Sequence, residues 1–242
     1  MSTAQIDAVY GSQRLRLAST VAAAVAAAWA HRFQDREAAI SQIVRLVTAG
    51  QAHTVNLVEA YMAAKAAQDG IALRVGLDPA AYTTTALRGV AADIVYARPF
   101  GAYGAFLNEG QSRAAAIRAA KSSVSKLAAT DLQLAQTHAA RDWMRAATEQ
   151  DETRALQIVG YRRVLAGAGP HCALCTAAST RTCRMADLMP IHEHCTCGVE
   201  PLWGTEPVAS VGTTVRVEED PELGPRLLAD SWTSVGPRLI EL

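Results

Sequence analysis

Apolar positions recur every three or four residues through the first two-thirds of the chain, the spacing that puts one stripe on a helix. Ile6, Val9, Leu15 and Leu17 lead into Val21, Val25 and Trp29, predicting a first long helix. Asp35 is placed to cap a second, which carries Ile40, Ile43, Val44, Val47, Val55, Leu57, Val58, Tyr61 and Met62 and ends before Gly70. Gly50 is expected to bend it at a cost of about 1 kcal/mol against alanine. Asp78 followed by Pro79 marks a turn that opens a short helix. Pro99 disfavours helical geometry at Arg98, so one helix is expected to end and another to open within Tyr96–Phe100.

Ser112 is a cap for a long run through Ile117, Val124, Leu127, Leu132, Leu134, Trp143 and Met144, with a fresh cap expected at Thr130-Asp131. Trp29 and Trp143 are expected core anchors. The pattern changes near Ala155. Leu156, Ile158, Tyr161 and Val164 form a β-branched, arginine-bearing stretch that reads as a strand entering a turn at Gly167–Pro170. Beyond Trp203 the chain is rich in Gly, Pro, Val and acidic residues without helical period, and is expected to be extended or mobile. There is no internal repeat. The predicted fold is mainly α, with an alanine-rich helical region over 1–154. A small α+β module over 155–204 and an extended acidic tail over 205–242 complete it.

Composition changes this picture in one respect. Half of the 242 residues are apolar, but alanine dominates and aromatics make up only 5%. Alanine favours helix yet brings little surface to bury, so such helices pack closely and often need partners. Lys plus Arg balances Asp plus Glu at 23 each, which excludes a globally basic nucleic-acid binder. The balance is uneven along the chain. Arg113–Arg163 holds nine basic and five acidic residues, and Asp187–Leu242 holds three basic and ten acidic. The plain reading is a solvated helical surface followed by an acidic tail; the sharper one is two electrostatically different faces. Val21–Ala30 is apolar but roughly ten residues long, against the ~20 needed to span a bilayer. It also lies too deep for a signal peptide, so a soluble intracellular protein with reduced cysteines is expected.

Chemistry concentrates in one place. His171-Cys172-Ala173-Leu174-Cys175 is followed by sixteen residues and then His192-Glu193-His194-Cys195-Thr196-Cys197. Four of the five cysteines form these halves, and three of the six histidines fall in the same 27 positions. A C-x-x-C turn sets two sulfurs on one side at the ~2.3 Å that zinc prefers, and H-x-x-C or C-x-C closes the tetrahedron. The ligand set read first is Cys172, Cys175, His192 and Cys195, with Cys197 a close competitor and His194 behind it. With no open position for water, the metal is expected to be structural zinc; redox thiols, metal-free packing and a catalytic metal are the alternatives. His171 is a poor ligand beside Cys172. Cys183 reads as a small packed thiol in the connecting loop. His31, His53 and His138 read as surface or satisfied core residues, and Asp142 with the 149–152 run as a solvated helix end. Glu193 between two histidines does not have zincin spacing. No phosphate loop or nucleophile turn appears.

The C-x-x-C turn, variable loop and terminal H-x-x-C-x-C resemble the C-terminal motif of the Mu F-like minor head proteins of tailed bacteriophages. The correspondence falls on Cys172, Cys175, His192, Cys195 and Cys197, about a tenth of the chain. The helical part is similar to head-morphogenesis proteins of actinobacterial phages, including the Tyr-x-Arg-Pro-Phe element at Tyr96–Phe100. Glu193 stands where that family commonly has a proline, which leaves the roles of His192 and His194 open. The resemblance implies a minor capsid protein inside the virion, assembled from the host cytoplasm and set near the portal. It would contact portal, major capsid or scaffold protein and assist assembly or genome delivery, with packaged DNA a further partner through Arg113–Arg163. Relatives are often labelled capsid maturation proteases. That activity would rest on Cys183 with His171 or His192, whereas prohead proteases of the herpesvirus-like type need a β-rich core presenting serine and histidine.

Overall fold

The computed structural model describes residues 2–31, 35–73, 75–150, 157–165, 176, 179–185, 197–205, 213–220, 224–233 and 236–241, the last three stretches by backbone alone. Helices α1 (Thr3–His31), α2 (Arg36–Gln68) and α5 (Arg113–Gln150) pack against one another in pairs. Asp35 caps α2, its Oδ1 accepting from the Ala38 amide at 3.0 Å, and Ser112 caps α5 through the Ala115 amide at 3.3 Å. A 3-10 turn at Pro79–Tyr82 follows its Asp78 cap, then come α3 (Thr84–Arg88) and α4 (Ala92–Asn108). No helix among the described residues is long and apolar enough to cross a membrane.

The alanine content is used for close approach. Ala116, Ala120 and Ala128 share a buried stripe of α5 with Val124, all at 0% exposure, and the Ser125 hydroxyl reaches the Ala22 carbonyl of α1 at 3.2 Å. Gly50 is not a bend but a crossing point. A Cβ there would sit 2.8 Å from Val21 Cγ2 and 3.3 Å from Leu132 Cδ1, so α1 and α5 both close onto α2 where it lacks a side chain. Two apolar cores result. One gathers Val25, Ile43, Val124 and Trp29, with Trp29 5.5 Å from Phe100 and 5.9 Å from Tyr103. The other gathers Val58, Met62, Met144 and Trp143 with Ile158, Tyr161 and Val199 of the sheet. Both tryptophans are fully buried, as expected. Val9 and Leu15 are not core: they are 44% and 37% exposed.

Two expected breaks do not occur. Helix α4 runs through Pro99 without ending. Proline inside a helix costs about 3 kcal/mol or more, but Val95, Tyr96, Pro99, Phe100 and Tyr103 are all buried from that helix, and this burial holds it. Helix α5 likewise continues through Thr130-Asp131, because the Asp131 carboxylate is taken by neighbouring elements instead of its own backbone.

The expected strand after Ala155 is β1 (Gln157–Val164). With β2 (Thr182–Cys183) and β3 (Gly198–Gly204) it forms an antiparallel sheet of order β2-β1-β3. Its register pairs Tyr161 with Cys183 on one side and with Pro201 on the other, and Val164 with Gly198. The chain is thus mainly helical with a small antiparallel sheet. The segment read as an extended tail is strand but doubles back twice: β4 (Thr213–Asp220), β5 (Gly224–Thr233) and β6 (Gly236–Glu241) make a second antiparallel sheet in chain order.

Candidate metal centre

The cysteine-rich stretch begins and ends at one place. Strand β1 delivers the chain at Val164 and β3 takes it back at Gly198, its register partner. Directly paired residues of antiparallel strands lie about 5 Å apart, so the chain leaves and rejoins the sheet at neighbouring positions. Strand β2 returns to β1 midway, at Tyr161 and Arg162. Cys172 and Cys175 precede β2 in the sequence, and His192, Cys195 and Cys197 follow it.

Cys172, Cys175, His192 and Cys195 lie outside the described residues, as do His171 and His194. Among the described residues no group of three or more His, Cys, Asp or Glu side chains is placed to hold a metal. Cys197 is described, and it is 1% exposed. Its carbonyl accepts from Arg14 Nη1 at 2.6 Å, Gln136 Nε2 at 2.9 Å and Gln133 Nε2 at 3.4 Å, so α1 and α5 together hold the end of the motif. Next to it, Gly198 packs against Tyr10: a Cβ there would stand 3.2 Å from the ring. Thiolate and imidazole at the five positions are the donor set zinc takes. Of these positions only Cys197 is described, and it is the one that the helices hold.

Cys183 is corrected from loop to strand. It lies in β2, half-buried, is not in a disulfide, and packs with Met185 and Trp203 against the core that contains Trp143 and Tyr161. Its proposed protease partners, His171 and His192, lie outside the described residues. His53 is exposed and His138 half-buried on α5, where Arg141 Nη2 and His138 Nδ1 are 3.2 Å apart. Desolvation, then Arg141, pushes the His138 pKa below its ordinary value. The basic Arg113–Arg163 stretch is partly neutralised. Arg141 and Arg145 meet Asp142, Arg145 also approaches Glu149 at 4.0 Å, and Arg162 pairs with Glu200.

Two buried polar clusters were not foreseen from the sequence. Between the two cores, Asp131 is fully buried and accepts from Tyr96 OH at 2.7 Å, Thr84 Oγ1 at 2.9 Å and Arg88 Nε at 2.6 Å. Gln51 completes it, receiving the Thr84 amide at 3.0 Å and donating to the Asp131 carbonyl at 3.4 Å. Burial, and then the Asp131 charge, raises the Tyr96 pKa far above the ordinary phenol range. Under the sheet, Lys65 binds both Asp7, at 3.3 Å, and Glu200, and Tyr61 donates to Asp7 at 2.9 Å. Tyr10 stacks on Tyr61 at 4.1 Å, and its own pKa is pushed up to about 12 by burial. This second cluster ties β1 and β3 to α1 and α2, beside the point where Cys197 is clamped. One signal for such residues was available: Arg14, Gln51, Lys65, Asp131 and Gln136 are polar residues at positions where the helical period demands apolar ones.

Comparison with protein-family models, curated proteins and solved structures found no match to this chain.

Proposed function

We propose that this chain is a minor capsid, head-morphogenesis protein of a tailed bacteriophage, built as a helical body bearing a zinc knuckle. The knuckle takes zinc through four of Cys172, Cys175, His192, Cys195 and Cys197, and the alanine-rich body meets portal, major capsid or scaffold protein inside the head. The observation that carries this reading is the grip on the Cys197 carbonyl by Arg14 and Gln136. It ties the last residue of the motif to α1 and α5, so that zinc bound by the motif would stiffen a surface offered to the assembling head. A structural role follows from the donor chemistry, since four protein ligands leave no position for a reacting water.

The test is assembly in a host expressing the portal, scaffold and major capsid proteins with and without this chain. The chain should sediment with heads in few copies and bind isolated portal, and a Cys172→Ser/Cys175→Ser variant should lose incorporation. A chain absent from both heads and portal would defeat the proposal. A capsid or scaffold fragment appearing only with the wild-type chain, and lost in Cys183→Ala, would move the assignment to a capsid maturation protease.

A further inference from the structure

We propose that copies of this chain associate head to tail, the outer face of α1 in one copy seating in the groove between α2 and α4 of the next. Neither surface includes a residue of the cysteine motif, so this inference goes beyond the zinc reading and is tested apart from it.

Among the described residues four large apolar side chains are left exposed, and they fall into two pairs. Ile94 and Leu107 belong to α4, and Ile94 is the most exposed of the four at 55%. Ile94 lines a groove of about 540 Å³ walled by Glu37, Ile40 and Val44 of α2 and by Asp93 and Ala97 of α4. Its floor is apolar, since Ile40, Val44 and Ala97 belong to the core around Trp29. The same face of α4 continues beyond Ala97 through Gly101 and Gly104, where an added Cβ would meet nothing within 4 Å. Glycine inside a helix is unfavourable against alanine. At Gly50 it goes with two helices of this chain crossing there, but no described element closes onto Gly101 or Gly104. Helix α4 thus presents a low surface that a helix from outside can approach closely.

Charge selects which helix. Glu37 and Asp93 line the groove, and neither makes an ion pair among the described residues; Asp93 Oδ1 accepts the Ile94 amide at 2.9 Å. Arg45, on the same wall as Glu37, donates to Ser41 Oγ at 2.7 Å. It lies about 12 Å from Glu37 along the axis of α2, so the acidic end of the groove is distinct from the basic one. Such a groove takes an aliphatic ridge with a cation at one end, and the other exposed pair supplies it. Val9 and Leu15 of α1 are 44% and 37% exposed, and Arg16 is exposed with no ion pair among the described residues. The three fall within about a third of the helix circumference, around the small Ser12. With Arg16 between Glu37 and Asp93, Val9 lies about 10 Å further on, at Val44 and short of Arg45. The two surfaces are at opposite ends of the bundle: Tyr10 belongs to the core with Trp143, and Ile40 to the core with Trp29. The contact is therefore heterologous, and every pair of copies keeps one unused α1 face and one unused groove.

The test is sedimentation of the purified full-length chain from about 1 µM to 1 mM, beside Arg16→Glu and Ile94→Arg, both at exposed positions. The wild type should form species that grow past two copies as concentration rises. Arg16→Glu sets a carboxylate against Glu37 and Asp93, and Ile94→Arg sets a guanidinium against Arg16. Each should raise the dissociation midpoint at least about 100-fold and leave monomers with the circular dichroism of the wild type. An equimolar mixture of the two variants should give a dimer and nothing larger, because one keeps its groove and the other its α1 face. A wild type that stays monomeric, variants that associate as the wild type does, or monomeric variants whose mixture stays monomeric would each overturn the head-to-tail contact. A monomeric wild type that binds isolated portal, and loses that binding in Ile94→Arg, would also overturn it and give the groove to the portal.

Discussion

Replacing Asp131 with alanine tests the buried polar layer between the two cores. Asp131 is on a long helix at a position where alanine would gain up to about 0.7 kcal/mol of helix propensity. Were the aspartate a surface cap, the substitution would be neutral or stabilising. The structure reverses the sign. Tyr96 is fully buried, and losing its only acceptor among the described residues costs about 1–3 kcal/mol. Thr84 Oγ1 keeps Gln51 Oε1 at 3.3 Å, so its loss is small. The Arg88 side chain is 25% exposed and can turn to water, which holds its contribution below the ~3–5 kcal/mol of a fully buried broken pair. The expected net loss is about 2–4 kcal/mol in urea unfolding followed by far-ultraviolet circular dichroism. Asp131→Asn should cost about 1–2 kcal/mol, because Tyr96 and Thr84 share Oδ2 and an amide oxygen can replace it while Arg88 loses Oδ1. Tyr96→Phe should cost about 1 kcal/mol alone but recover about 1–3 kcal/mol in the Asp131→Ala background, where it removes the orphaned hydroxyl, a coupling of about 2–4 kcal/mol. Additive losses, or an Asp131→Ala variant as stable as wild type, would refute the reasoning.

Gly50→Ala should lower stability by about 1 kcal/mol, since overpacking against the stiff Val21 side chain outweighs the propensity gain, and it should become stabilising in a Val21→Ala background. The His138 prediction concerns acid. Its folded pKa lies below the unfolded 6.5, so the fold prefers the neutral ring. That contribution is present above 6.5 and is lost as pH falls through it, because the unfolded chain protonates first. His138→Gln should therefore lose less stability than wild type on acidification across that window, measured as the shift in urea midpoint.

The helices were legible because their signals are local. Asp35 and Ser112 cap what their positions suggest, and the apolar period around Val25, Val58 and Trp143 identifies the buried face. Strand β1 was legible for the same reason, from Ile158, Tyr161 and Val164. What escaped depends on partners far away in the chain. Pro99 looked like a stop because its local cost is plain, while the burial that overrides it belongs to α1, α2 and α5. Asp131 looked like a cap because Thr84, Arg88 and Tyr96 are some 35 to 47 residues distant. Gly50 showed its propensity penalty but not the two helices that cross it. Cys183 sat in an apparent loop because a two-residue strand leaves no period to read, and the tail's turns carried no clear hairpin signature. The metal reading of the cysteine motif comes from residue type and spacing alone. The anchoring of Cys197 was not legible, since Arg14 and Gln136 lie 183 and 61 residues from it.

The central claim is that the 172–197 segment is a zinc knuckle fixed to a helical body, and metal analysis of the purified full-length chain tests it most directly. The account predicts zinc in equimolar amount, lost together with the cobalt thiolate band in Cys172→Ser/Cys175→Ser. Chelation should then disturb β1 and β3 while α1, α2 and α5 keep their circular dichroism, because structural zinc contributes about 10–16 kcal/mol in small modules. A chain free of metal, or one that retains it after both cysteines are replaced, would contradict the account.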